Sequence, residues 1–450
     1  MKKRFLSFIS SSLVCTVSVF AVAKGLNSDI TNISQTTADS FQWSANHEIV
    51  DEKTNNENDD NRELLRSGFR DNAETLCTEN FVLNNYLNVY YVTGMSYLNI
   101  LSACGSLYSF YCYLDGLGYA TPTSKNSSYG YLDIYFLNCS SESLGYGEEV
   151  VGLTYCDSQI NFKTYYSTIY ILEFSSPSSD KLNTIYHEFF HAVQNMYYST
   201  SNYQFKEAVA RWVGNTYSSS FRYILDSFYD LYLYNYYSLD YYSNHDYLYC
   251  YVFDIIYDMF NNDLDTMFSF LLDYYEALNL RTSSTITLTE TLAVIDSVIN
   301  SYNSLYSFEK VWFNMVVRYL GCDVPYYDYF YPTSHTYFNY YFTEATYYGP
   351  GYMSASVSFT DWGFRMYEFP ALPSSPYYSR VKFQMSGNHS FAIVVYDPVY
   401  HYQSVVYSNT SNYFQFTYDI NTYRLGNVRF AVVNLEKATL STSLYIYQLV

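Results

Sequence analysis

Several kinds of segment are absent from this chain of 450 residues. After the N-terminal 23 residues, no apolar run approaches the roughly eighteen residues of a membrane-spanning helix. Glycine (17) and proline (9) are scarce, which excludes collagen-like and proline-rich linker proteins. No Walker-type or dinucleotide-binding glycine fingerprint occurs, so phosphate-binding chemistry is not expected. Basic residues are also few. The balance of 23 Lys+Arg against 43 Asp+Glu, net charge −20, disfavours nucleic acid or an anionic membrane surface as the main partner.

Apolar residues, by contrast, are plentiful. They make up 49% of the chain against 15% charged residues, which excludes a disordered protein and allows two or three domains with their own cores. Tyrosine is in excess, with 60 copies spread from Tyr86 to Tyr447. This spread favours tyrosine as a semi-polar core residue, and the alternative is an aromatic docking surface for peptides or sugars.

The N-terminus has the pattern of a secretory signal peptide over residues 1–23. A basic start (Lys2 to Arg4) precedes an apolar stretch from Phe5 to Phe20 and a small-x-small site ending at Ala23. A retained membrane anchor is the alternative. We therefore expect a secreted protein, extracellular or associated with the cell surface, with no transmembrane segment in the mature chain.

Cysteine usage gives no metal motif, because no CxxC pair occurs. We interpret the seven cysteines that follow the signal peptide as small buried hydrophobes with one or two disulfides, whose connectivity the sequence does not reveal. They are Cys77, Cys104, Cys112, Cys139, Cys156, Cys250 and Cys322.

Composition divides the rest of the chain into three parts. Residues 24–76 are acidic and polar, so they predict a leader that is either a removable pro-segment or a plain solvated linker. Residues 77–345 combine strand-like alternation with helical periods, which predicts an α+β domain with a small sheet and a mainly helical second half. Residues 346–450 carry short β-rich runs between polar turns, which predicts an antiparallel β-sandwich.

Within the middle part, the patterns predict particular elements. Helical spacing runs over 97–114, 181–197, 205–217, 221–234, 248–260, 266–278, 289–301 and 308–320, and strand patterns cover 81–92, 131–137 and 167–174.

One of these helices carries an HExxH motif in residues 187–191. Histidines at i and i+4 lie on one helix face, so the imidazoles of His187 and His191 can reach a single Zn²⁺. Glu188 is placed to take a proton from zinc-bound water. The alternative is a pair of surface histidines on an amphipathic helix.

A third zinc ligand is expected because catalytic zinc uses three protein ligands and leaves the fourth position to water. Glu207, at the start of the segment KEAVARW, is the candidate. The small residues Ala208 and Ala210 would let the second helix approach the first. In the alternative interpretation, Glu207 is a first-turn acid paired with Arg211.

The segments HEFFHAVQ (His187–Gln194) and KEAVARW (Lys206–Trp212) together resemble secreted bacterial zinc metalloproteases of the gluzincin type. The resemblance implies a zincin-like fold, zinc bound by His187, His191 and Glu207, and Glu188 as the catalytic base. Two positions depart from that pattern: Ala208 replaces a glycine, and Gly214 replaces a final acid that would contact the ligands. A carboxylate such as Asp226 or Asp230 would have to take over that contact.

These observations predict an exported zinc endopeptidase acting on proteins or peptides. An oxyanion donor is also expected, and His245 and Tyr247 are the candidates. The alternative function is a catalytically weak or inactive surface-binding protein whose C-terminal β-domain contacts glycan or host protein.

Overall fold

The structure is a computed structural model. It describes residues 59–125, 130–146, 150–160, 164–198, 203–218, 250–281, 286, 288–312 and 314, together with the strands between 343 and 449. The helices have these bounds: α1 (Asp59–Leu76), α2 (Tyr97–Leu117), α3 (Ser179–Asn195), α4 (Tyr203–Ser218), α5 (Cys250–Met259), α6 (Leu264–Asn279) and α7 (Leu288–Tyr302). The predicted signal peptide and the predicted helix over 221–234 lie outside the described residues. Among those residues, no helix is both long and apolar enough to cross a membrane.

The first five strands form one mixed sheet in the order β1-β2-β3-β5-β4. They are β1 (Glu79–Leu83), β2 (Leu87–Tyr91), β3 (Leu132–Phe136), β4 (Gly152–Gln159) and β5 (Tyr165–Ile171). The three central strands are parallel, while β1 and β4 run antiparallel to their neighbours. The sheet and its helices confirm the α+β class.

Local sequence explains where several elements turn. Asn84 and Asn85 both have φ of 53° between β1 and β2, a left-handed conformation that Asn adopts more readily than most residues. Gly118 ends α2 with φ of 97°, a left-handed conformation that glycine adopts without strain. The Ser178 hydroxyl accepts a hydrogen bond from Lys181 N at the start of α3.

The sheet separates two apolar cores, because alternate residues of a strand face opposite sides. Ile134 and Ile169 belong to the larger core, which contains residues of the helices from α2 to α7. Tyr135 and Tyr170 belong to the smaller core, in which they pack with α1. Their rings stack at 4.9 Å between centroids, and Tyr90 continues the stack at 4.6 Å from Tyr135. Here, tyrosine serves as a core residue.

Helix α1 changes the interpretation of the predicted leader. Phe69 and Ala73 are fully buried against the sheet. Arg70 forms ion pairs of 2.7 Å with Glu74 and with the sheet residue Asp157. Residues 59–76 thus form a helix that packs on the sheet through Phe69, Arg70 and Ala73, and residues 24–58 lie outside the described part. The composition of this segment predicts a polar leader because only one narrow face of α1 is apolar.

The C-terminal strands form two further sheets of five strands each. One has the order β13-β10-β15-β8-β7 and the other β12-β11-β14-β9-β6. The strands are β6 (Thr343–Glu344), β7 (Thr346–Tyr347), β8 (Tyr352–Phe359), β9 (Phe364–Glu368), β10 (Arg380–Ser386), β11 (Phe391–Asp397), β12 (Tyr402–Tyr407), β13 (Tyr413–Asp419), β14 (Arg429–Asn434) and β15 (Leu440–Leu449). Pairing is antiparallel except between β6 and β9.

Candidate metal centre

Helix α3 presents the HExxH residues inside the protein rather than on its surface. His187 is 8% exposed and His191 is 1% exposed. Every residue from Ile185 to Asn195 is buried. The helix lies against β4 and β5 of the sheet and also packs on α4. Two surface histidines on an amphipathic helix are thereby ruled out.

Helix α4 brings a carboxylate to these histidines. The apolar face of α4 is buried, and it consists of Phe205, Ala208, Val209, Trp212 and Val213. Helix α4 packs on α3, and the two helices approach closely at Gly214, where a Cβ atom would lie 2.9 Å from Asn183. The approach leaves Glu207 at 0% exposure in the interior.

His187, His191 and Glu207 converge on one point. Their ligand atoms all lie within 4.8 Å of one another. The two Nε2 atoms are 2.9 Å apart, and they lie 3.4 Å and 3.3 Å from the two carboxylate oxygens of Glu207. Two imidazoles and one carboxylate that converge in this way could hold a metal ion.

The Glu207 carboxylate gives the strongest evidence that this group binds a cation. Both of its oxygens are buried, and no described residue gives either oxygen a hydrogen bond of good geometry. Burial by itself favours the protonated acid, but the facing imidazoles of His191 and His187 outweigh it and hold the Glu207 pKa well below its usual range. An ionised carboxylate that is buried against two imidazoles fits a metal ion.

Glu188 lies beside this group, against strand β4. Thr154 Oγ1 is 2.7 Å from Glu188 Oε2 and 2.8 Å from the main-chain oxygen of the same residue. The single hydroxyl proton of Thr154 is donated to one of these oxygens at a time. Burial raises the pKa of Glu188 to about 7, although His187 and the Thr154 hydrogen bond both act to lower it. A carboxyl with a pKa near 7 can both accept and release a proton at neutral pH.

Gly152 is the other residue of β4 that shapes the surroundings of Glu188. A Cβ atom at this position would lie 2.8 Å from Glu188 Cγ and 2.6 Å from Thr184 Cγ2. Any larger residue at 152 would therefore displace the Glu188 side chain.

Gly214 also has a packing explanation. A Cβ atom there would lie 2.9 Å from both the main-chain and the side-chain oxygen of Asn183. An acid cannot occupy this position without separating α3 from α4. A different residue contacts the ligands, because His191 Nδ1 lies 2.7 Å from Gln194 Oε1.

Only one of the remaining predicted site residues, Glu207, lies within the part of the chain that the structure describes. Glu207 faces the histidines, as the metal-ligand hypothesis predicts. The candidate oxyanion donors His245 and Tyr247, and the carboxylates Asp226 and Asp230, lie outside the described residues.

Sequence reasoning missed three residues of the site: Gly152, Thr154 and Gln194. Gln194 could have been found, because a polar residue three positions after His191 lies on the same helix face. Gly152 and Thr154 gave no local signal, since their role depends on where β4 packs in the fold, and that strand was not predicted.

Comparisons with known proteins do not assign this chain to a family. No protein-family model and no curated protein sequence matches it. Among solved structures, it is similar to a cupin domain from Bordetella pertussis Tohama I, with 9% identity and a TM-score of 0.15 over 24% of this chain and 90% of that one. It is also similar to the capsular polysaccharide assembling protein CapF from Staphylococcus aureus, with 11% identity and a TM-score of 0.13 over 41% of each chain. Likenesses at this level carry no argument about fold or function.

Proposed function

We propose that this protein is an exported zinc-dependent endopeptidase of the gluzincin type. His187, His191 and Glu207 would hold the zinc ion, and Glu188 would be the catalytic base. The observation that carries the proposal is the buried carboxylate of Glu207, which comes from a second helix and meets both HExxH imidazoles.

The choice of zinc rests on the donor set. Two imidazole nitrogens and one carboxylate are typical of catalytic zinc, whereas magnesium and calcium prefer oxygen donors. When bound, zinc polarises the scissile carbonyl and makes water a nucleophile near neutral pH.

Glu188 supplies the proton transfer in this proposal. Its carboxylate accepts the proton of the attacking water and delivers it to the leaving amine. Thr154 orients the carboxylate by a hydrogen bond to Oε2, and the absence of a side chain at Gly152 leaves space for it. The base is thus held against β4 rather than left to rotate.

A peptide substrate is supported by the sheet edge beside Glu188. Strand β4 is the last in the sheet order and pairs with β5 alone among the described strands. The outer edge of such a strand offers main-chain donors and acceptors to an extended chain. A peptide aligned on β4 would bring its carbonyl groups close to Glu188.

The finer fold assignment belongs to the same proposal. A mixed sheet beside two ligand-bearing helices supports a zincin-like catalytic domain, and two five-stranded sheets support a C-terminal β-sandwich. In an exported enzyme, that second domain would contact glycan or another cell-surface partner.

Hydrolysis of a quenched peptide library and of casein tests the proposal. We expect cleavage by the zinc-loaded protein, its loss on treatment with a chelator, and its recovery when zinc is returned. A zinc-loaded protein that cleaves neither substrate would contradict the peptidase assignment.

A further inference from the structure

We propose that Gln194 is a positioning residue that fixes which nitrogen of His191 carries the proton and ties this histidine to the segment bearing Glu207. The inference rests on the proposed metal site, although Gln194 itself is not a ligand. It is fully buried on α3, one turn after His191.

The orientation of the Gln194 amide follows from its partners. Its Nε2 atom lies 2.9 Å from the main-chain oxygen of Lys206 and 2.7 Å from the Tyr275 hydroxyl. A carbonyl oxygen can only accept, so the amide nitrogen must face Lys206. The amide oxygen must then face His191, where it lies 2.7 Å from Nδ1. The carbonyl of Lys206 thereby excludes the flipped amide.

The protonation of His191 follows in turn. Because the amide oxygen is an acceptor, Nδ1 must carry the proton that is donated to it. In the neutral ring, Nε2 then keeps its lone pair, and this atom faces His187 Nε2 at 2.9 Å and Glu207 at 3.3 Å. A neutral imidazole with an open Nε2 is the form that binds a metal ion.

The same amide joins the two ligand helices. Lys206 immediately precedes Glu207, so a hydrogen bond to its carbonyl holds the peptide that carries the third ligand. Tyr275 on α6 is buried and completes the set of acceptors for the amide. One side chain therefore positions His191 directly and Glu207 through the main chain.

Zinc affinity of variants at position 194 tests the inference. Gln194→Met keeps the approximate length of the side chain but loses the acceptor for Nδ1, so we expect zinc to bind about 10- to 100-fold more weakly in competition with a chelator. Gln194→Glu keeps an acceptor and should retain more affinity than the Met variant. The matched control is Asn215→Leu, which removes another amide hydrogen bond between α3 and α4, the 2.8 Å bond that Asn183 donates to Asn215 and that contacts no ligand. It should lower stability and leave zinc affinity unchanged.

The outcomes separate this inference from the proposed function. Wild-type protein that binds no zinc contradicts the metal site itself. If wild type binds zinc and Gln194→Met binds it with the same affinity, the role of Gln194 is overturned while the metal site stands. The role is also overturned if Asn215→Leu weakens zinc binding as much as Gln194→Met does. If the Met variant does not fold, long-range ¹H–¹⁵N spectra of histidine-labelled, metal-free wild type decide the question. His191 should carry its proton on Nδ1, and a proton on Nε2 would overturn the inference.

Discussion

The Nε2 atoms of His187 and His191 lie 2.9 Å apart. Two unprotonated nitrogens at this distance repel each other, so the pair needs either a shared proton or a cation. The carboxylate oxygens of Glu207 lie 3.3–3.4 Å from these two nitrogens. They receive no hydrogen bond of good geometry from the described residues. A divalent cation satisfies all three side chains at once.

Glu188→Gln should separate metal binding from catalysis. The amide keeps the size of the side chain but cannot accept the proton of the attacking water, so turnover should fall by at least about 10²-fold. Zinc content should stay at the wild-type level because Glu188 is not a ligand. Turnover and metal analysis on the same preparation check this, and retained turnover would refute the assigned base.

The pH dependence of kcat/KM should report Glu188. The base acts when ionised, so activity should be full above its pKa and fall as the pH drops through it. Burial raises this pKa to about 7 without the metal, and a bound cation favours the carboxylate, so the acid limb should lie below pH 7.

Thr154→Val should move that limb upward by roughly one pH unit, because it removes a hydrogen bond that favours the ionised form. Thr154→Ser, which keeps the hydroxyl, should leave the limb in place. A limb at the same pH in the Val and Ser variants would show that Thr154 does not act on Glu188.

Gly152→Ala should impair activity more than stability. The new Cβ would lie 2.8 Å from Glu188 Cγ, so the side chain of the base must move away from β4. Gly105→Ala is the matched control. Nothing lies within 4 Å of its new Cβ, and an exposed helical Gly→Ala change should stabilise the fold by up to about 1 kcal/mol. Normal turnover in Gly152→Ala would contradict the close contact.

Arg70→Met should loosen α1 from the sheet. It leaves the buried Asp157 with Thr168 as its remaining hydrogen-bond donor among the contacts described, at an expected cost of about 1–3 kcal/mol in unfolding free energy. Burial raises the pKa of Asp157 and Arg70 lowers it, so the loss should shrink as the pH falls through this pKa, because a protonated Asp157 no longer needs the cation.

Arg281→Met provides the control for this change. Its ion pair with Glu290 spans 3.9 Å, and both side chains are exposed, so the cost should stay below about 0.5 kcal/mol. Chemical denaturation measures the unfolding free energy of both variants. Equal losses would show that the Arg70 ion pair does not stabilise the packing of α1 on the sheet.

Part of this site could be predicted from the sequence because it depends on local spacing. His187, Glu188 and His191 lie within about one turn of helix, and Ser178 marks the start of that helix. Glu207 required a second motif, since no spacing rule places one helix against another.

The remaining features depend on tertiary packing. Gly152 and Thr154 act only because β4 lies beside α3, and Gly214 is explained only by its contact with Asn183. Helix α1 was missed because its polar face dominates its composition, although Phe69 and Ala73 are buried in a core.

Diffraction at the zinc absorption edge from crystals grown with equimolar zinc tests the central claim most directly. The account predicts one anomalous peak per chain in the group formed by His187, His191 and Glu207, about 2.0–2.2 Å from one ligand atom of each. No peak at this position, or a peak bound by other side chains, would contradict it.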